Sequence, residues 1–106
     1  MKGMMGGMAG LMKQANQMQM KMKKIQEELA TREFEGTSGG GAVKVKVNGD
    51  NKVLAVTIDP EVLKSGDAEM MQDLVVSAVN DALKSAKDTS TKEMAKVTGG
   101  INLPGF

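Results

Sequence analysis

The side chains available for chemistry in this chain are mainly lysines, because the usual catalytic nucleophile–base pairs cannot be assembled. His and Cys are both absent from the 106 residues. There is therefore no imidazole to activate a Ser or Thr, no thiolate and no disulfide. Carboxylates are present, but they are scattered over helical faces without a recognisable acid–base or metal-ligating pairing. Gly36-Thr37-Ser38-Gly39-Gly40-Gly41 has the glycine content of a phosphate loop. That loop needs Lys-Ser/Thr after its last Gly and a helix behind it, and here Ala42-Val43 follow. A hairpin is the simpler expectation for this stretch, and no enzyme activity, metal or cofactor is expected.

Lysine chemistry is ionic. On an ideal helix Lys13, Gln17 and Lys24 fall on nearly one line, with Lys21 and Lys23 flanking it. Ammonium and amide groups so arranged suit the backbone oxygens of a nucleic acid, and pairing of two copies would double the contacts. A Lys-rich helix also presents such a face simply to water. The net charge of +1 names no partner, but its distribution is uneven. Residues 1–24 carry five Lys and no acid, whereas residues 53–82 carry six acids against Lys64. Aromatic side chains for stacking on unpaired bases are nearly missing, Phe34 and Phe106 being the two present. That disfavours single-strand and RNA modules. No helix-turn-helix is evident, so sequence-specific reading is not implied.

The first of these lysines must be positioned by a long helix. Met8, Leu11, Ala15, Met18, Met22, Ile25 and Leu29 recur at alternating intervals of three and four, the spacing of a coiled-coil seam. From Gly10 to Thr31 this predicts a rod of about 33 Å. Phe34 to Thr37 reads as a short edge strand, and the three glycines at 39–41 as a sharp reversal. Val43, Val45 and Val47 then alternate with Lys44 and Lys46. Asn48-Gly49-Asp50-Asn51 is a turn in which Gly49 is free to take positive φ. Leu54, Val56 and Ile58 alternate with Val53, Ala55 and Thr57 until Asp59-Pro60 ends the strand. Three strands joined by tight turns are antiparallel, with a wet Lys44/Lys46 face and an apolar face for helix 1 or its equivalent to cover. Glu61 to Leu63 allows one helical turn.

Asp67 is the expected N-cap of a second long helix, with Glu69 and Asp73 early and Lys84, Lys87, Lys92 and Lys96 late, each at the favourable end of the dipole. Its stripe of Met71, Leu74, Val75, Ala78, Val79, Ala82 and Ala86 includes three small residues that permit close approach of another backbone. Ser90-x-x-Glu93 offers a capping box that would restart a helix at 90. The unbroken pattern favours one helix to about Val97, about 46 Å long. A three-stranded sheet is about 14 Å wide with strands of about 20 Å. Two such rods overhang so small a platform, which predicts projecting arms and a dimer.

One domain is expected, with residues 1–7 disordered and 99–106 a tail. The glycines at 3, 6, 7 and 10 break up any signal-peptide core, and no run approaches membrane-spanning length. A soluble, intracellular protein is the expectation. Eight of the eleven Met lie in the first 22 residues. Met at seam positions is ordinary packing, but Met4, Met5, Met12 and Met20 lie off or before the main seam, and some of them suit surface contacts with a protein partner. A membrane-surface helix ranks behind these, since Glu27, Glu28 and many Gln dilute the polar face.

The segments LMKQANQMQMKMKKIQEELA, FEGTSGGGAVKVKVNGDNKVLAVTIDPEVL, DLVVSAVNDAL and GGINLPGF together resemble the YbaB/EbfC family of bacterial nucleoid-associated proteins. The similarity spans almost the whole chain in the same order. It implies an α+β fold, an α-β-β-β-α protomer with a three-stranded antiparallel sheet and two long helices, forming a tweezer-like homodimer. It also implies binding of double-stranded DNA by protruding helices with limited sequence preference, in the cytoplasm on the nucleoid, with possible roles in nucleoid organisation and gene regulation. Carried over by position, the DNA-binding residues are Lys13, Gln17, Lys21, Lys23 and Lys24 on the first helix and Lys84, Lys87, Lys92 and Lys96 on the last. One departure is Asp88 to Thr91, which lacks basic residues and implies weaker binding. The alternative from the residues themselves is a protein-interaction scaffold using Met-rich arms, DNA being incidental.

Overall fold

A computed structural model describes residues 2–98, and the side chains of residues 8–97 within them. The tail expected at 99–106 lies outside the described residues, as do the side chains of residues 1–7. The order is α1 (Lys2–Thr31), β1 (Glu33–Ser38), a 3-10 turn (Gly39–Gly41), β2 (Val43–Asn48), β3 (Val53–Ile58), α2 (Pro60–Lys64) and α3 (Ala68–Thr98). The strands form one antiparallel sheet in the order β1-β2-β3. The expected α+β architecture is what the chain adopts. Helix α1 starts at Lys2 rather than near Met8. The glycines of the first ten residues lower helix propensity without interrupting the backbone ladder.

Register explains the core. Phe34, Gly36 and Ser38 stand opposite Val47, Val45 and Val43, and directly opposed residues share a face of the sheet. Val43, Val45 and Val47 are fully buried, and Lys44 and Lys46 are exposed, as their alternation requires. The cover on this face is α3, not α1. Ala78, Ala82 and Ala86 are buried with the three valines, Phe34 and Leu29. The small stripe is needed because a Cβ on Gly36 would overlap the Ala78 carbonyl oxygen and the Ala82 amide nitrogen. Two hydrogen bonds fix the contact: Thr37 N–H donates to Asp81 Oδ2 at 3.0 Å, and Ser38 Oγ donates to the Leu74 carbonyl at 2.6 Å.

Two sequence expectations for the turn and the third strand need correction. Gly49 does not use positive φ; Asn51 does, at 62°. Gly49 is small because a Cβ there would overlap the Leu29 carbonyl where α1 ends over the turn. In β3 a bulge opposite Lys46/Val47 pairs Val53 with Val47 while Ala55 pairs with Lys46. Val53 therefore joins Val56 and Ile58 on the helix-facing side, with Leu54 as the extra residue.

The remaining boundaries follow local chemistry. Asp59 Oδ1 accepts from Glu61 N–H at 3.0 Å and starts α2 at Pro60. Asp67 Oδ1 accepts from Met70 N–H at 3.0 Å, the N-cap expected of α3. Helix α3 does not restart at Ser90. Thr91 Oγ1 donates to the Lys87 carbonyl four residues back, a helix-interior bond that leaves the ladder continuous.

Candidate nucleic-acid interface

The candidate interface begins where the two long helices leave the sheet. Helix α1 ends at the sheet, with Leu29 in the core, and α3 begins there, with Ala78 and Ala82 in the core. The two helices pack on each other and run away from the sheet as an antiparallel stem. On α1 the shielded residues are Met18, Met22, Ile25 and Leu29, the C-terminal half of the seam, together with Ala30. On α3 beyond Ala86 they include Ser90, Glu93, Met94 and Val97.

The seam continues past Met18 without a partner. Every residue from Met8 to Gln17 is exposed, Leu11 at 68% and Met12 at 70% among them. Ten residues of helix, about 15 Å, thus stand clear of the protomer. The long dimension of the chain is 77 Å against 21 and 16 Å.

The structure places Lys13 and Gln17 on this free arm, and Lys21, Lys23 and Lys24 on the part of α1 whose other side rests on α3; all five are exposed. Lys13, Gln17 and Lys24 share the side opposite the seam and span about 16 Å along the axis. No acid precedes Glu27 in the chain, so this run of α1 is uniformly positive. Double-stranded DNA carries one negative charge per about 1.7 Å of its axis. A rod with lysines at this spacing meets several phosphates when laid along it.

The lysines of α3 are a different environment. Lys84, Lys87, Lys92 and Lys96 are all exposed, but they fan around the helix instead of lining one side. Lys84 and Lys92 line a shallow groove with Asp81, Ser85, Asp88 and Thr89, so its two positive and two negative groups balance. Lys96 Nζ lies 3.2 Å from Glu93 Oε1. The acids among the α3 lysines, Asp81, Asp88 and Glu93, are the readable signal that sets them apart from those of α1, where no acid is interspersed in residues 1–24 and the first, Glu27 and Glu28, follow Lys24. Asp81 has a second task, holding Thr37 N–H and so fixing α3 on β1.

Among the described residues no group of three His, Cys, Asp or Glu side chains is placed to hold a metal ion. No described helix is long and apolar enough to cross a membrane.

The model of the YbaB/EbfC DNA-binding family matches residues 4–101. A nucleoid-associated protein of Clostridium novyi is 50% identical over 106 residues, covering 98% of this chain and 93% of its own. One from Pelotomaculum thermopropionicum is 50% identical over 104 residues, covering 97% and 99%. The crystal structure of an uncharacterized Helicobacter pylori protein superposes with a TM-score of 0.68 at 27% identity, covering 87% of this chain and 94% of that one.

Proposed function

Because the chain belongs to the YbaB/EbfC DNA-binding family, we propose that it is a nucleoid-associated protein that grips double-stranded DNA as a homodimer. Grip comes mainly from phosphate contacts made by α1, with limited sequence preference. The observation that carries this reading is the acid-free row of exposed Lys13, Gln17, Lys21, Lys23 and Lys24 on a helix that outruns its own protomer. Lys84, Lys87, Lys92 and Lys96 contribute less, because acids stand beside three of the four. The protein works without chemistry, in the cytoplasm and on the nucleoid, with no membrane or small-molecule partner.

Backbone contact has a measurable signature. Log affinity falls with log salt at a slope of about −0.9 per neutralised phosphate. Changing Lys13, Lys21 and Lys24 to Glu weakens binding to unrelated duplexes alike and flattens that slope, as read by fluorescence anisotropy across a salt series. Loss on one duplex with others unchanged contradicts phosphate contact.

A second reading is favoured by a specific feature, the exposed apolar side chains of Met8 and Leu11 on the seam and of Met12 beside it. It makes the arm a hydrophobic handle for another protein. A pull-down from nuclease-treated lysate that retains one stoichiometric protein, lost on changing Leu11 and Met12 to Ser, supports the scaffold reading over the DNA-binding one.

A further inference from the structure

The lysine side of α1 has an apolar residue at its centre. Met20 is 72% exposed, more than any other large apolar side chain among the described residues. It does not belong to the seam. Met18 and Met22, two residues to either side, are shielded, and two residues turn the helix by about 200°. At about 100° per residue, Lys13, Gln17 and Lys24 fall within about 60° of Met20 on one side, and Asn16 and Lys23 within the same angle on the other. All five are exposed. Helix propensity does not call for Met here, since Lys, Gln and Glu form helix about as well. Packing within the protomer does not call for it either.

We propose that Met20 contacts the bases: it reaches the floor of the major groove and packs on the C5 methyl group of thymine. The inference rests on the DNA-binding reading above and adds a base contact to the phosphate contacts given there. Three observations select this ligand. First, the charge around Met20 is complementary to a groove walled by phosphates on both sides. Cations flank the residue on both sides, and no acid precedes Glu27. A helix of about 10–12 Å diameter fits a major groove about 12 Å wide. With ammonium groups drawn to both walls, the side chain in the middle of the arc is the one aimed at the floor. Second, a thioether donates no hydrogen bond and accepts only weakly. The feature of the floor that suits it is the apolar one, the thymine methyl. Third, Asn16, one turn earlier on the same side, carries an amide suited to N6 and N7 of adenine, the base paired with thymine.

The test uses the full chain and two duplexes of one mixed sequence, the second with deoxyuridine for every thymine, which removes only the methyl groups. By fluorescence anisotropy the unaltered protein should bind the thymine duplex about four-fold more tightly for each methyl contacted, the worth of about one buried carbon. Met20→Ala should bind both duplexes alike, with an unchanged salt slope because no cation is lost. Met20→Leu, which keeps an apolar side chain, should retain the preference for thymine. Far-UV circular dichroism should be the same for all three proteins, since the side chain already stands in water. An unaltered protein indifferent to the methyl overturns the proposal, and so does a thymine preference that persists in full in Met20→Ala. In both cases a salt-dependent affinity leaves the phosphate contacts standing. A protein that binds neither duplex overturns both readings. Met20→Ala at half the mass of the unaltered chain in light scattering puts Met20 between copies and also overturns the proposal.

Discussion

Two glycines hold this fold together by what they lack. Gly36 lets β1 lie directly on α3, and Gly49 lets the β2–β3 turn lie under the end of α1. In both cases an added Cβ meets backbone atoms, which cannot rotate aside as a side chain would. Gly36→Ala should therefore lose about 3 kcal/mol, the upper part of the usual overpacking range. For a domain of this size that is a fall in melting temperature of roughly 12–24 °C. Gly10→Ala is the control. Nothing lies within 4 Å of its Cβ position, and helix propensity favours Ala there by about 1 kcal/mol. Calorimetry that finds the two variants alike contradicts the close-approach account. This is also where sequence reasoning stopped short. The valines of β2 declare their face by alternation, which is a local property. Gly49 sits in an Asn-Gly-Asp-Asn stretch that reads as a turn demanding positive φ, and its real constraint is a neighbour some twenty residues away in sequence.

At the level of the elements, periodicity located both long helices but not their neighbours. The small stripe of Ala78, Ala82 and Ala86 announced close approach without saying to what, and the answer is the strand carrying Gly36. The bulge in β3 moved Val53 to the other side, a shift that no alternation pattern in VLAVTI betrays. The charge patterns of the helices were legible, and their consequence differs between the two. On α1 no acid is interspersed among the lysines, Glu27 and Glu28 coming only after Lys24; on α3, Asp88 shares a groove with Lys84 and Lys92, and Glu93 pairs with Lys96. Exposed pairs of this kind add at most about 1 kcal/mol to stability, so they can be removed cheaply. Asp88→Asn with Glu93→Gln should leave the melting temperature nearly unchanged. It should tighten binding to duplex DNA by about two- to five-fold at low salt, an advantage that shrinks as ionic strength rises. Unchanged anisotropy titrations would place the α3 lysines away from the phosphates and leave α1 alone in contact.

The whole molecule is a small platform bearing rods too long for it. Its radius of gyration is 20.8 Å, against about 13 Å for a compact chain of this length. The overhang was readable from two helix lengths and a strand count; the direction of the overhang was not, because it depends on α3 taking the sheet and pushing α1 onto the stem. The arrangement separates two duties along one helix. Residues Met18 to Leu29 of α1 build the stem, whereas no side chain from Met8 to Gln17 is shielded by the rest of the protomer. Deleting residues 1–17 should consequently leave the remaining chain folded, with the far-UV signal reduced only by the lost turns. Light scattering should still report two protomers if the pairing lies at the sheet, the end of the molecule opposite the free arms. DNA binding should weaken, because each copy loses Lys2, Lys13 and Gln17. If both copies of Lys13 sit on phosphates, their loss alone flattens the salt slope by about 1.8. A truncated protein that keeps full affinity with an unchanged slope would move the contact down to Lys21–Lys24 on the stem, whereas one that falls to protomer mass would put the pairing in the arms.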